Sequence, residues 1–202
     1  MELAEEFKEA DPIYGMPIVG HVYRKNLESA ISLTKPHKQT VLEIGFGYGV
    51  LLPYLTQYTH DVFGIDLNAA KASKARAILN RLNVKADLIG GDINSAPFKE
   101  RSFDVIYALN VLEHIQDLTA AINSIKALLR TNPPGRLVVA APTENWLYHL
   151  GRRAIRFRTP SHYWKAADIE NTVLRRYLKV ERVVSIYPVF TLFKVYLCLN
   201  TG

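Results

Sequence analysis

The sequence predicts an α/β fold, a doubly wound and mostly parallel sheet of seven strands with the last one antiparallel, in a single domain spanning residues 1–202. Three observations carry this. Short apolar runs alternate with helix-like stretches over the first two thirds of the chain, the signature of a parallel sheet covered by helices on both faces. The first run, Val41-Leu42-Glu43-Ile44, leads into three alternate glycines, Gly45, Gly47 and Gly49. The next two runs each end at an acid, Asp66 and Asp92.

The elements follow in order. A short helix is expected over Glu2 to Ala10, then an irregular stretch broken by Pro12, Gly15 and Pro17. Val19, Val22, Tyr23, Leu27, Ala30 and Ile31 recur at helical spacing and predict one amphipathic helix ending near Pro36. Residues 1–36 are thus a helical cover ahead of the first strand. Thr40 to Ile44 is strand one, and residues 51–58 its helix. Asp61 to Asp66 is strand two. Ala69 to Leu82, rich in Ala, Lys and Arg, has strong helix propensity. Val84 to Ile89 is strand three and Ser102 to Leu109 strand four. Leu118 to Leu129 is a helix with Asp117 as its cap. Pro133-Pro134-Gly135 is a turn, and Arg136 to Ala141 is strand five. Residues 143–177 are an insertion on the substrate side, a loop then a helix. Val180 to Ile186 and Thr191 to Leu199 are two closing strands, antiparallel because they are joined directly.

Ligands of such sheets bind beyond the carboxyl ends of the strands. The glycine run suits a dinucleotide, a phosphate or an adenosyl-type ligand. A phosphate loop needs a lysine and a hydroxyl after the final glycine, and Val50-Leu51 supply neither. A pyrophosphate fingerprint is G-x-G-x-x-G, whereas the spacing here is G-x-G-x-G with Glu43 just before it. A carboxylate there disfavours a pyrophosphate and suits a cationic group. Asp66 can accept two hydroxyl hydrogen bonds from a ribose. Asp92 can accept from an exocyclic adenine amine, with the Ile93 backbone beside it.

Together these stretches resemble the class I S-adenosylmethionine-dependent methyltransferases, in particular the small-molecule, methyltransferase type 11-like group. VLEIGFGYG is similar to that family's first motif, GIDLN (64–68) to its acidic second motif, and GDINSAPF (91–98) to its G-D-x-x-x-x-P-F segment. FDVIYALNVLEHI (103–115) resembles its fourth-strand motif and PGRLVVAAP (134–142) its fifth strand. The resemblance covers Thr40 to Pro142. It implies a Rossmann-like sheet and S-adenosylmethionine as cofactor. Gly45, Phe46, Gly47 and Gly49 would then lie against the methionine part, and Glu43 would hold its amino group. Asp66 would take the ribose hydroxyls and Leu67 the adenine face. Gly91, Asp92 and Ile93 would flank the adenine amine, and the Asn110 carbonyl would sit near the ammonium. Asn132-Pro133-Pro134-Gly135 is similar to a motif of enzymes that methylate nucleobase or glutamine amides, but that motif belongs directly after strand four, whereas here it precedes strand five, ends in glycine and reads as a turn.

The implied reaction is direct attack of an acceptor on the sulfonium methyl, with a base needed only for a protonated acceptor. Candidate catalytic residues are His114 in the L-E-H motif, and His21 and Tyr14 in the N-terminal cover. Each also has a packing reading. Tyr23 is a further cover residue. Glu144, Asn145, His162, Tyr163 and Trp164 lie beyond strand five. The histidines show no metal-ligand spacing, so no metal is expected. Trp146 to Arg158 pairs an apolar side with Arg152, Arg153, Arg156 and Arg158. It predicts either a solvated cover or a grip on an anionic substrate or anionic membrane surface. The expected acceptor is a small molecule, apolar or lipid-linked; RNA or protein methylation and a noncatalytic cofactor-binding protein are the alternatives.

The formal charge of +6 permits an anionic partner without requiring one, and no recognition domain favours nucleic acid. One cysteine, Cys198, leaves no intrachain disulfide. The N-terminus lacks the pattern of a secretory signal, so a cytoplasmic monomer or homodimer is expected.

Overall fold

The computed structural model describes residues 2–146, 148–149, 162–187 and 191–202. The apolar runs with no polar alternation become strands buried on both faces, as a covered parallel sheet requires. These are β1 (Val41–Ile44), β2 (Val62–Asp66), β4 (Val105–Leu109) and β5 (Arg136–Pro142), while β3 (Asp87–Gly90) lies at the sheet edge with only Leu88 buried. Two more, β6 (Lys179–Ile186) and β7 (Phe193–Leu199), complete one seven-stranded sheet in the order β3-β2-β1-β4-β5-β7-β6. The first five run parallel. β7 is antiparallel to both β5 and β6, so it alone runs against the rest.

Strand side chains alternate between two cores. Val41, Val105, Tyr107, Val138 and Ala140 share one with Val22, Leu27, Ala30 and Ile31 of α2 (Pro17–Thr34) and Ala72, Ala75 and Leu79 of α4 (Ala69–Arg81). Leu42, Ile44, Ile106, Ala108 and Val139 share the other with α5 (Leu118–Leu128) and a C-terminal helical segment. That segment runs from α6 (Ala166–Ile169) through a π-helical turn, Glu170–Leu174, into Arg175–Tyr177. Asp117 caps α5 by accepting from the Ala120 N–H at 2.9 Å. The Tyr107 hydroxyl, fully buried, meets Thr34 Oγ1 and ties α2 to β4.

Several boundaries differ from the sequence expectation. Strand three starts at Asp87 rather than Val84, because the Val84 N–H is used to close the end of α4 on the Leu79 carbonyl. Strand four starts at Val105, since Phe103 bonds the end of α5 instead. The helix after the glycines is a single turn, α3 (Leu52–Leu55). The N-terminal stretch is more ordered than its Pro and Gly content implied. After α1 (Glu5–Ala10), residues Pro12–Gly15 form a 3-10 turn, and Pro17 opens α2, where no N–H is needed.

That turn is held by close approach. A Cβ on Gly20 of α2 would lie 2.4 Å from the Tyr14 carbonyl oxygen, and Arg24 Nη1 donates to the same oxygen at 3.0 Å. Backbone cannot move aside as a side-chain tip can. Gly20→Ala is therefore expected to lower stability by about 1–3 kcal/mol through overpacking and to raise amide exchange in residues 11–16. Urea unfolding and hydrogen exchange measure both, and unchanged exchange there would refute the contact's importance.

Candidate functional site

The site lies where sheet order reverses, between the carboxyl ends of β1 and β4. A cavity there is lined by Glu43, Gly45, Phe46, Gly47, Tyr48, Leu109 and Asn110 from the strand ends, and by Lys71 of α4. Asp11, Tyr14, Tyr23 and Leu27 of the N-terminal cover close it from above. The rings of Tyr14 and Tyr23 meet edge to face at 6.0 Å.

The three glycines have distinct reasons. All have positive φ, at 70°, 56° and 82°. A Cβ on Gly45 would lie 2.5 Å from Val111, and one on Gly49 would press on Leu52 at 3.2 Å. Only Gly47 faces open space, with nothing within 4 Å of a built Cβ. Its N–H donates to Asp66 Oδ2 at 2.7 Å. Asp66 Oδ1 accepts from the Asn68 N–H at 2.8 Å. Asp66 is thus a clamp on the loop, a task its position in the sequence did not reveal. Each carboxylate oxygen keeps a second lone pair for a further donor.

Glu43 sits opposite Gly64 of β2 and Tyr107 of β4. It is only 5% exposed, and its Oε2 has no hydrogen-bond partner among the described residues. Burial, and then the nearby Asp66 carboxylate, push its carboxyl up to about 8. Such a group accepts a cation readily, because the charge that burial penalises is then paired. Gly64 keeps Phe46 in place, since a Cβ there would lie 2.7 Å from the Phe46 ring.

The other expected contacts sit along the neighbouring strand ends. Leu67 is 77% exposed just past Asp66. The Gly91 N–H bonds the Asp66 carbonyl at 3.0 Å. Asp92 is exposed and caps the turn Ile93–Ser95 by accepting from Asn94, while Ile93 is buried. None of these four lines the cavity; they border it on the β2–β3 side. Asn110 has a left-handed φ of 55°. Its Oδ1 accepts from Asn26 Nδ2 at 3.4 Å.

Asn26 is a site neighbour that the sequence reading missed. It is fully buried, and its own Oδ1 has no partner among the described residues. A signal existed: Asn26 lies midway between Val22 and Ala30, at helical spacing on the apolar face of α2.

The three catalytic candidates part company. Tyr14 lines the cavity; burial above all, with Tyr23 beside it, holds its phenol far above the ordinary value, so the hydroxyl keeps its proton. His21 is exposed, packs on Tyr187 at 6.4 Å and does not line the cavity, which removes it from this site. One helical position separates inside from outside here. His114 lies beyond Asn110 in the turn Leu112–His114, with its ring 4.8 Å from that of His162. His162 Nδ1 bonds Glu144 Oε1. Burial pushes the Glu113 carboxyl up to about 8, and the Glu144 charge adds to this. The pairing arises because residues 162–165 dock on the turn after β4: Tyr163 N–H bonds the Glu113 carbonyl at 2.8 Å, and the Trp164 indole bonds that of Ile115 at 2.9 Å. Of the stretch Trp146 to Arg158, Leu147 and residues 150–158, including all four arginines, lie outside the described residues. Among the described residues no helix is long and apolar enough to cross a membrane.

Comparison with known proteins agrees with this geometry. Ubiquinone biosynthesis O-methyltransferase from Rhodopseudomonas palustris (strain TIE-1) is 31% identical over 123 residues, 61% of this chain and 47% of the relative. The chain spans about half the length of the curated relatives it matches. A crystal structure of a SAM-dependent methyltransferase from Aquifex aeolicus superposes with a TM-score of 0.72 at 17% identity, covering 99% of both chains. Magnesium protoporphyrin IX methyltransferase from Synechocystis, crystallised with bound SAH, superposes at 0.70 and 18% identity, over 98% of this chain and 95% of that one. Residues 18–182 match the methyltransferase-domain family designated Methyltransf_23. With that match and this sheet order, the chain belongs to that family and has the class I S-adenosylmethionine-dependent methyltransferase fold.

Proposed function

We propose that this chain binds S-adenosylmethionine in the cavity at the ends of β1 and β4 and transfers its methyl group to an oxygen of a small molecule. The observation that carries the reading is Glu43, a buried carboxyl whose Oε2 has no partner among the described residues, in the cavity that Gly47 also lines. This acceptor fits an α-ammonium group, and the open side of Gly47 leaves room for a chain passing over it. When bound, the cofactor supplies an electrophilic sulfonium methyl.

The remaining work belongs to the protein. Glu43 and the Asn110 carbonyl hold the ammonium. Gly45, Phe46, Gly47 and Gly49 shape the wall along the methionine part. Asp66 accepts from the ribose hydroxyls through its second lone pairs while it clamps Gly47. The bare Leu67 side chain covers one adenine face, and Asp92 with Ile93 borders its amine. Tyr14 and Tyr23 exclude water from above and donate to the ligand. The acceptor enters beyond β4 and β5, next to the turn Leu112–His114. The oxygen acceptor, and an apolar or lipid-linked body on it, are suggested by the relative's O-methyltransferase activity in ubiquinone biosynthesis.

Titration calorimetry with S-adenosylhomocysteine tests the cofactor half. Glu43→Gln should weaken binding about 10–100-fold, the worth of a hydrogen bond to a charged group. Glu43 is mainly protonated in the free protein at pH 7 and ionised once paired, so binding releases a proton. Affinity should therefore rise with pH from 6 to about 8 and level off above. The slope should be at most about tenfold per unit, and Glu43→Gln should abolish it. Equal affinity for both proteins at all pH values would remove Glu43 from the site. Asp66→Ala should cost about 2–4 kcal/mol of binding through two charged hydrogen bonds; near-normal affinity would leave Asp66 a loop clamp only.

A further inference from the structure

Beyond the cofactor cavity, one group of side chains has no role in cofactor binding. Glu113, His114 and His162 each bring one potential ligand atom to a common point, all within 4.8 Å of one another. Glu113 is 2% exposed, and its Oε2 has no hydrogen-bond partner among the described residues. The His162 side chain is 5% exposed. Its Nδ1 is taken by Glu144, which leaves Nε2 as the nitrogen for a ligand and fixes the ring.

We propose that Glu113, His114 and His162 bind a divalent transition-metal ion, Zn²⁺ by preference, with Glu144 orienting His162 from behind. The donor set argues for the ion. Two imidazoles and one carboxylate are a zinc set, and three protein ligands leave a fourth position open. The same set is poor for Mg²⁺ and Ca²⁺, which take oxygen ligands. A carboxylate behind a ligating histidine is the usual support of such sites. Ligand atoms on tetrahedral zinc lie roughly 3.3–3.5 Å apart. The cluster must draw in by about an ångström, within the reach of side-chain rotation. A purely structural hydrogen-bond network would have used the buried Glu113 Oε2, and no described residue bonds it.

The site does not depend on the proposed reaction, because the ion can be measured without methyl transfer. The protein, with any polyhistidine tag removed, is stripped with chelator and titrated with Zn²⁺, Co²⁺ and Mg²⁺. One Zn²⁺ per chain is expected, with Co²⁺ giving the visible absorption of a four- or five-coordinate ion and Mg²⁺ binding at least 100-fold more weakly. His162→Ala and Glu113→Gln should lose the ion, and Glu144→Gln should weaken it about 10–100-fold. Circular dichroism identifies any variant that fails to fold, and the other variants then decide. A folded wild-type protein that takes up no Zn²⁺ or Co²⁺ overturns the proposal. So does binding that survives both His162→Ala and Glu113→Gln in folded protein.

Discussion

A carboxyl group buried near the carboxyl end of β1 is the constraint on which the site's construction turns. Glu43 points to the α2–α4 side of the sheet, where a charge without a partner is costly. Burial and Asp66 hold it largely protonated near neutral pH. The surroundings keep its oxygen bare. Gly64 across the strand pair makes room for Phe46. The glycine loop turns away immediately after Ile44, its path set by the Asp66 clamp on Gly47. The cover tyrosines close the cavity without bonding Oε2. A stability optimum alone would have placed an apolar residue there.

Two segments far from the central strands in sequence complete the walls. On one side, the turn Pro12–Gly15 is pressed onto α2 by the close contact at Gly20 and by Arg24. It sets Tyr14 over the cavity. On the other side, residues 162–165 dock on the turn after β4 by two backbone-directed bonds. That docking brings His162 to His114 and Glu144. The inner strands of the sheet form a frame buried on both faces, and both segments dock at its carboxyl edge.

The order of strands and helices was legible because apolar runs, glycine turns and helical spacing are local. So was the position of Glu43 relative to the glycines, which needs only a strand and a turn. The errors were also local in cause: Val84 and Phe103 carry strand-forming side chains, but their N–H groups are spent on helix ends. Side-chain direction was less accessible. His21 and Tyr14 belong to the same cover, yet His21 packs outward on Tyr187 while Tyr14 lines the cavity.

The sequence by itself determined the fold class, the glycine loop, and the acids at the carboxyl ends of β2 and β3, because each follows from periodicity and turn chemistry over a few residues. The tertiary structure alone decided that Asp66 clamps Gly47, that Asn26 is buried against Asn110, and that His162 meets His114. These contacts join residues from different elements. Their geometry depends on how helices and loops pack on the sheet, and no local pattern encodes that.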